Sequence, residues 1–415
     1  MEIGYRSTAL HERARAFVSA FERGEPSAES MDALACDIAR FQADVIEGYA
    51  RLCRARRMDP ASFSSASDIV AVPTDAFKLT RVAAFAHTAI VFRTSGTTQG
   101  PQMRGEHAIR DVATYDAAAV AFGRHWLVRD LTPSKIPVLV LAPSPEEVPD
   151  SSLIHMCQLF AEAFGHPASR DETFLVRDGI IDLSTFDARV AIAMAQKEPV
   201  LLLGTSFAYV HFLDALGDAS FALPRGSRVM QTGGYKGKSR EVPADALRRE
   251  LARVLSIDER AIVAEYGMTE LSSQFYERSL FDSAAPDRFQ VDASSRRPAR
   301  SGPEQPAAAL RTAPQPPTMK SRQIESGIKG VFAEPPWARV VPVDPETLAP
   351  VEDGTIGIAK IIDAMNVDSA VAVLTQDRVR RVPGGFELLG RAPGAPPRGC
   401  SIAIDELLGR TSNCE

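Results

Sequence analysis

The sequence predicts an α/β protein: a large domain of β-sheets flanked by helices, a small β subdomain, and a truncated C-terminal subdomain. One arrangement occurs four times, namely a short apolar run, a turn of Gly, Ser and Thr, and then a segment compatible with a helix. Such strands are typical of α/β sheets, whose ligands bind at the carboxyl ends of the strands. The four loops are therefore expected to converge on one site. They lie in residues 89–100, 200–212, 227–237 and 261–271.

Composition indicates an ordinary globular protein of two or more domains, because 415 residues with 45% hydrophobic and 24% charged side chains can bury a full core. The net charge of -6 provides no broad basic surface, so nucleic acid is not an expected partner. The most apolar stretch, residues 200–216, is interrupted by Gly204, His211 and Asp214. We interpret it as a buried strand leading into a helix and not as a membrane span.

A cytoplasmic location is predicted from the cysteines and from the amino terminus. The five cysteines are odd in number, scattered, and never arranged as CxxC, which is typical of a reducing compartment. Residues 1–20 carry several charged side chains where a secretory signal would be apolar.

The elements follow in chain order. Residues 1–60 are expected to form a helical lead-in, and residues 61–283 the α/β core. Residues 284–328 are rich in Pro, Ala and Arg and have too few aliphatic side chains to offset the entropy of ordering, which predicts a flexible insertion; an interaction tail is the weaker alternative. Residues 329–389 alternate β-branched residues with turns and should complete the large domain as a β subdomain. Residues 390–415 remain as the short C-terminal subdomain. The lead-in is amphipathic, with apolar residues at steps of three and four: Leu34, Ile38, Phe41, Val45, Tyr49 and Leu52.

The first chemical signal is the loop FRTSGTTQGPQMRG at residues 92–105. Four hydroxyl side chains surround a glycine directly after an apolar strand, so hydroxyls and bare backbone amides can bind phosphate oxygens. It is not a Walker A loop, because no GK[ST] follows, and a Ser/Thr-rich surface turn is the alternative. The residues are Thr94, Ser95, Gly96, Thr97 and Thr98.

The second signal is EYGMTE at residues 265–270. A carboxylate beside a threonine at a strand end can hold Mg²⁺ against triphosphate oxygens, since Mg²⁺ prefers hard oxygen ligands. Glu270 is thus the predicted metal ligand. A helix start capped by Thr269 is the alternative. The two loops together indicate nucleotide chemistry more specifically than either alone.

These loops resemble the motifs of the adenylate-forming, acyl-CoA synthetase-like superfamily. The resemblance implies that TSGTTQGPQ binds phosphate, and that in YGMTE, which includes Gly267, Tyr266 contacts adenine, Thr269 phosphate and Glu270 magnesium. It further implies adenine-binding glycines in QTGGYKGKS, a ribose-binding aspartate in LTQDRV, and a hinge in LLGRA. The residues carrying these further roles are Gly233, Gly234, Tyr235, Asp377, Gly390 and Arg391.

Within that superfamily the chain resembles the acyl-protein synthetase of the bacterial luciferase system, a long-chain fatty acid to protein ligase. The family-like stretches are VPTDAFK, GTSFAYVHFLD, GGYKGKSREV, PPWARVVPVDPETLAPVEDGTIG and the terminal GRAPGAPPRGCSI. The resemblance implies that Cys400 accepts the acyl group and passes it to a partner such as an acyl reductase. ATP and Mg²⁺ are the implied cofactors and a fatty acid the implied substrate. Neighbouring Arg398 and Arg391 favour the thiolate; an inert cysteine is the alternative.

Three features depart from the family pattern. Gln102 stands where many superfamily members have a lysine, and Arg104 or Lys236 could supply that positive charge instead. The chain ends soon after Cys400, before a full superfamily C-terminal domain, although the nearer family is similarly short. The insertion near Arg300 is not part of the family pattern. An acyl- or aryl-CoA ligase of the phenylacetate type, with Cys400 incidental, and an inactive nucleotide-binding scaffold therefore remain alternatives. The histidines show no metal-ligand spacing and are expected to be structural or at the surface, with His211 the one candidate for a ligand contact.

Overall fold

The computed structural model describes residues 2–94, 104–132, 135–233, 243–281 and 330–393. Several helices begin at a side chain that caps the first turn: Ser30 accepts from the Ala33 amide (3.1 Å), and Thr205 accepts from the Ala208 amide (3.0 Å). The helices are α1 (Glu2–Arg23), α2 (Met31–Val45), α3 (Glu47–Ala55), α4 (Ala76–Leu79), α5 (Val112–Gly123), α6 (Ser152–Phe164), α7 (Arg170–Thr173), α8 (Leu183–Gln196), α9 (Ser206–Leu216) and α10 (Ala244–Leu255).

Most strands of the described chain join one mixed sheet of eleven strands, in the order β12-β13-β14-β15-β11-β10-β9-β8-β7-β4, with β1 beside β14. The strands are β1 (Val72–Pro73), β2 (Ile90–Arg93), β3 (Glu106–Ile109), β4 (Val138–Leu141), β5 (Val176–Arg177), β6 (Ile180–Ile181), β7 (Leu201–Thr205), β8 (Arg228–Thr232), β9 (Ile262–Tyr266), β10 (Phe275–Glu277), β11 (Val331–Ala333), β12 (Ala338–Val343), β13 (Ile356–Asp363), β14 (Ala372–Val382) and β15 (Gly385–Arg391). The predicted α/β class, with a sheet flanked by helices, is confirmed.

The parallel part of the sheet brings three predicted loops together. Strands β4, β7, β8 and β9 are parallel neighbours, and β7 and β8 are buried along their whole length. Their register pairs Thr205 with Thr232 and Thr232 with Glu265, so the carboxyl ends of β7, β8 and β9 lie side by side. Three of the four apolar runs are therefore adjacent strands whose loops share one edge of the sheet.

The first apolar run forms a strand outside the large sheet. Strand β2 does not join the large sheet but forms an antiparallel hairpin with β3, in which Phe92 pairs with His107 and Arg93 with Glu106. Phe92 and His107, which face each other in this hairpin, are both buried. The hairpin thus anchors both ends of that loop, an arrangement that the sequence pattern did not predict.

The chain on both sides of residues 282–329 forms adjacent strands. Strand β10 pairs directly with β11, with Tyr276 opposite Ala333 and Glu277 opposite Phe332. The sheet is therefore continuous from the core into the predicted β subdomain. The domain bounds remain a prediction, and the insertion lies outside the described residues.

The amino-terminal helices belong to the same core. Gln42 of α2 donates to the carbonyl oxygens of Asn366 (2.7 Å) and Val367 (2.9 Å), and its side-chain oxygen accepts from the Val371 amide (3.0 Å). The buried His11 of α1 contacts Asp368. The predicted strand-to-helix character of residues 200–216 is confirmed by β7 and α9. Within the described ranges, no helix combines the length and the apolar character that a membrane span needs.

Candidate active site

The edge formed by β8 and β9 carries a buried polar pair. The Thr232 hydroxyl donates to the Glu265 carboxyl group, and the two residues face each other in the parallel register. One residue before Thr232, Gln231 donates to Ser206 Oγ (2.9 Å), which donates to the carbonyl oxygen of Gly233 (2.6 Å). The start of the predicted adenine loop is thus fixed by hydrogen bonds from the amino-terminal turn of α9.

Three residues predicted to contact nucleotide form one cluster. The Tyr266 hydroxyl donates to Asp377 Oδ2 (2.9 Å), and Arg391 Nη1 donates to Asp377 Oδ1 (3.2 Å). Asp377 and Arg391 are opposite each other on β14 and β15, whereas Tyr266 ends β9. Burial, followed by the charge of Asp377, raises the pKa of Tyr266 well above its ordinary value, so the phenol remains a hydrogen-bond donor. The sheet therefore brings together the predicted adenine, ribose and hinge residues.

The signature loop after Tyr266 is buried and held at several points. Thr269 and Glu270 are each 3% exposed. His107 Nδ1 donates to the carbonyl oxygen of Thr269 (2.7 Å), and the side-chain Nδ2 of Asn366 donates to the carbonyl oxygen of Glu270 (2.9 Å). Burial lowers the pKa of His107 to about 4, so the imidazole is neutral at physiological pH. A neutral histidine on β3 thereby links the end of the phosphate loop to the predicted magnesium motif.

The base of the phosphate loop is closed by contacts between its two ends. The Thr94 amide donates to the Gly105 carbonyl oxygen (2.9 Å), and the Gly105 amide donates to Thr94 Oγ1 (2.7 Å). Arg104 donates to the Thr94 carbonyl oxygen (2.7 Å) and to Asp150 (2.8 Å). Arg104 therefore braces the base of the loop through an ion pair with Asp150, and its use as a phosphate-binding cation would require breaking that pair.

Several predicted residues lie outside the part of the chain that the structure describes. The structure describes both ends of the phosphate loop and the signature residues Tyr266 to Glu270. In the predicted adenine loop, Gly233 is the last residue that it describes. Outside the described ranges are Ser95, Gly96, Thr97, Thr98, Gly234, Tyr235 and Cys400.

The side chains of the signature loop are compatible with Mg²⁺ binding. The described residues contain no cluster of three or more His, Cys, Asp or Glu side chains that would form an all-protein cage. Mg²⁺ in nucleotide sites is commonly held by one or two carboxylates together with phosphate oxygens and waters. Glu270, a buried carboxylate next to Thr269 at the end of the sheet, suits that role.

Sequence reasoning did not single out Glu265, Gln274 and His107, which the fold places beside the predicted site. Glu265 and Gln274 flank the signature motif, and both are at most 7% exposed. Their position within or beside YGMTE was visible in the sequence, but their burial depends on the pairing of β9 with β8 and β10. His107 was interpreted as structural or at the surface, and only the β2–β3 hairpin reveals its contact with Thr269.

Comparison with solved structures identifies the fold. Two structures of 2-hydroxyisobutyryl-CoA ligase match the fold: one in an open conformation with 2-HIB-AMP and CoA (TM-score 0.50, 11% identity, 90% of this chain and 80% of that chain), and one in the thioesterification state (TM-score 0.52, 12% identity, 92% and 68%). The chain therefore has the fold of adenylate-forming ligases. Among curated proteins, none matches the sequence.

The family follows from the sequence itself. The family model described as acyl-protein synthetase, LuxE, matches residues 31–286, which is more than half of the chain. The chain belongs to this family, and the resemblance found in its motifs is confirmed. It is accordingly an AMP-forming ligase that activates a carboxylic acid with ATP.

Proposed function

We propose that the protein joins a carboxylic acid to AMP, transfers the acyl group to Cys400 as a thioester, and passes it to a partner protein. The observation that carries this proposal is the convergence of Thr232 and Gly233, the signature residues Tyr266 to Glu270, and the Asp377–Arg391 pair at one edge of the sheet. Apart from Thr232 and Met268, these are residues that the family resemblance assigns to nucleotide or magnesium binding.

In the first step, a carboxylate oxygen attacks the α-phosphorus of ATP, and the bond from that phosphorus to the bridging oxygen of pyrophosphate breaks. Both reactants are anions, so positioning and electrostatics carry most of the catalysis. The hydroxyls of Thr94, Ser95, Thr97 and Thr98, together with the backbone amides of residues 95–98, would bind phosphate oxygens. Magnesium, when held by Glu270, would neutralise phosphate charge.

The adenosine part of ATP would be held by the remaining residues. Gly233, Gly234 and Tyr235 would line the adenine, together with Tyr266 and Gly267. Asp377 would bind the ribose hydroxyls; its two oxygens each accept one bond in the structure, and a carboxylate has further acceptor capacity. Arg391 would keep its hydrogen bond to Asp377 in this role.

In the second step, the Cys400 thiolate, having lost its proton to solvent, attacks the acyl carbon, and the bond to the AMP oxygen breaks. The choice of Cys400 rests on the family motif. Three other cysteines, Cys36, Cys53 and Cys157, are buried, and burial raises the pKa of each thiol, which disfavours them as nucleophiles.

The partner and the compartment are proposed from the family resemblance, the net charge and the free cysteines. An acyl reductase is the proposed acceptor because the resembling system uses one. The net charge of -6 argues against nucleic acid as a partner. Free thiols at Cys36, Cys53 and Cys157 fit the cytoplasm.

The test combines pyrophosphate release with intact-protein mass after incubation with ATP, Mg²⁺ and a panel of acids. Wild type should gain one acyl mass that hydroxylamine removes. Cys400→Ala should release pyrophosphate but gain no adduct, whereas the control Cys414→Ala should behave as wild type. A labile adduct on Cys400→Ala, or acyl transfer that requires CoA, would replace this proposal with a CoA ligase. ATP binding without pyrophosphate release would favour the inactive scaffold.

A further inference from the structure

Glu270, the predicted magnesium ligand, lies in the loop that joins β9 to β10. This signature loop comprises residues 267–274, and its own backbone contributes a turn in which the Leu271 amide donates to the Met268 carbonyl oxygen (3.0 Å). A loop keeps one conformation only when its contacts compensate for the entropy lost on ordering it. Further contacts come from the loop that joins β13 to β14.

The β13–β14 loop, residues 364–371, meets the signature loop although their strands are not neighbours. Strands β15 and β11 lie between β14 and β10 in the sheet, so side chains and not strand pairing make the contact. Two side chains make it: Asp363, the last residue of β13, and Asn366, within the loop. We call this pair the loop clamp, and both residues are 0% exposed.

Asn366 fixes the peptide that follows Glu270. Its Nδ2 donates to the Glu270 carbonyl oxygen (2.9 Å), and its Oδ1 accepts from the Ser272 hydroxyl (2.6 Å). In the peptide that precedes Glu270, the Thr269 carbonyl oxygen accepts from His107. Because both peptides make a buried hydrogen bond, a change in the backbone torsions of Glu270 would break one of them. The direction in which the Glu270 side chain leaves the backbone is therefore fixed.

Asp363 holds the next two residues of the signature loop. Its Oδ2 accepts from the backbone amides of Ser272 and Ser273 (both 2.9 Å). Its Oδ1 accepts from the Ser273 hydroxyl (2.7 Å) and from the Met365 amide (3.0 Å). A carboxylate offers about four acceptor sites, so one side chain can tie the two loops together through all of these bonds.

The β13–β14 loop has supports of its own from the amino-terminal helices. Gln42 of α2 donates to the Asn366 carbonyl oxygen (2.7 Å). Asp368 accepts from the Ser7 hydroxyl of α1 and contacts His11 of the same helix (2.8 Å). These contacts do not involve the signature loop, so the loop clamp is anchored independently of the residues that it holds.

We propose that Asp363 and Asn366 are positioning residues for adenylation, which hold the Glu270 carboxylate where it would bind Mg²⁺. The inference rests on the proposed function, because it deepens the role given there to Glu270. Mg²⁺ requires near-octahedral geometry at about 2.0–2.1 Å, so a displaced carboxylate binds it weakly. Replacing a residue that orients a metal ligand typically costs about 10–100-fold in metal affinity or activity.

The experiment measures the Mg²⁺ midpoint, the Mg²⁺ concentration that gives half-maximal pyrophosphate release by the full-length protein at saturating ATP. Asn366→Leu keeps the approximate size of the side chain and removes its hydrogen bonds, and it should raise the midpoint about 10-fold or more. Ser272→Ala removes one neutral hydrogen bond and should raise the midpoint about 5-fold. The affinity for AMP, measured by calorimetry without metal, should stay unchanged in both variants, because AMP lacks the β- and γ-phosphates. A general loss of structure would instead lower the active fraction and leave the midpoint as it is.

Two control variants change matched contacts between the same β13–β14 loop and α1. Ser7→Ala removes a buried hydroxyl, as Ser272→Ala does, and Asp368→Asn changes a buried carboxyl group, as Asp363→Asn does. The controls should lower the melting temperature and leave the Mg²⁺ midpoint unchanged, whereas Asp363→Asn should raise it. If Asn366→Leu does not fold, Ser272→Ala and its match Ser7→Ala decide. A midpoint unchanged in the clamp variants, or raised equally in the controls, would overturn the inference and leave the proposed adenylation intact.

If no acid releases pyrophosphate from wild type, the proposed function fails, and binding then decides the inference separately. The probe is α,β-methylene-ATP, whose affinity is measured with Mg²⁺ and with EDTA. A gain in affinity with Mg²⁺ that is present in wild type and Ser7→Ala, and lost in Asn366→Leu and Glu270→Gln, supports the loop clamp. An equal gain in Asn366→Leu, or no gain in wild type, overturns it.

Discussion

The contact between His107 and Thr269 predicts a specific dependence of stability on pH. His107 is 1% exposed, and burial lowers its pKa to about 4, whereas an unfolded histidine titrates near its ordinary value of 6.5. The unfolded state therefore binds more protons in this window, so the stabilisation is complete above pH 6.5 and is lost as the pH falls towards 4. Integrating between these two values, His107 should make the free energy of unfolding about 2 kcal/mol lower at pH 5 than at pH 7.5.

The assay is urea unfolding of wild type and His107→Gln at both pH values. The glutamine does not titrate and can still donate to the Thr269 carbonyl oxygen, so the difference between the two pH values should shrink by about 2 kcal/mol. The exposed His87→Gln is the control. An unchanged difference in His107→Gln would refute the buried, neutral state of His107.

His107→Leu also removes the hydrogen-bond donor to the Thr269 carbonyl oxygen. The unpaired carbonyl should lower the free energy of unfolding by about 1–3 kcal/mol, and adenylation should decrease more than in His107→Gln.

Three further predictions concern the nucleotide site and the insertion. Glu270→Gln should abolish Mg²⁺-dependent pyrophosphate release without changing the melting temperature by more than a few degrees, and near-normal release would remove Glu270 from the site. Arg391→Met should raise the KM for ATP more than Tyr266→Phe does. The first variant leaves the Asp377 charge without its ion pair, whereas the second removes only one hydrogen bond. The reverse order in steady-state kinetics would contradict the proposed role of this cluster in binding ATP. Deleting residues 300–317 should change adenylation little, since β10 and β11 pair directly on either side of the insertion; a large decrease in the melting temperature of the shortened protein would show otherwise.

The strand ends that precede the predicted nucleotide motifs could be recognised because their signals are local. An apolar run followed by small residues identifies a strand end wherever the strand lies in the sheet, which is why β7, β8 and β9 match the predicted runs. The hairpin of β2 with β3 could not be predicted in this way. Its pairing partner lies beyond the loop, and a short apolar run contains no information on which strand will be its neighbour.

The surroundings of Glu265 and Gln274 could not be predicted, because they depend on the order of the strands in the sheet. That order is not a local property of the sequence. Glu265 alternates with Tyr266 along β9, and the sequence shows both positions equally well. Only the parallel pairing with β8 places Thr232 opposite Glu265, and only the antiparallel turn into β10 brings Gln274 to the cavity that these two residues line. The family motif could therefore be found from the sequence, whereas the contacts of its neighbours Glu265 and Gln274 depend on which strands pair.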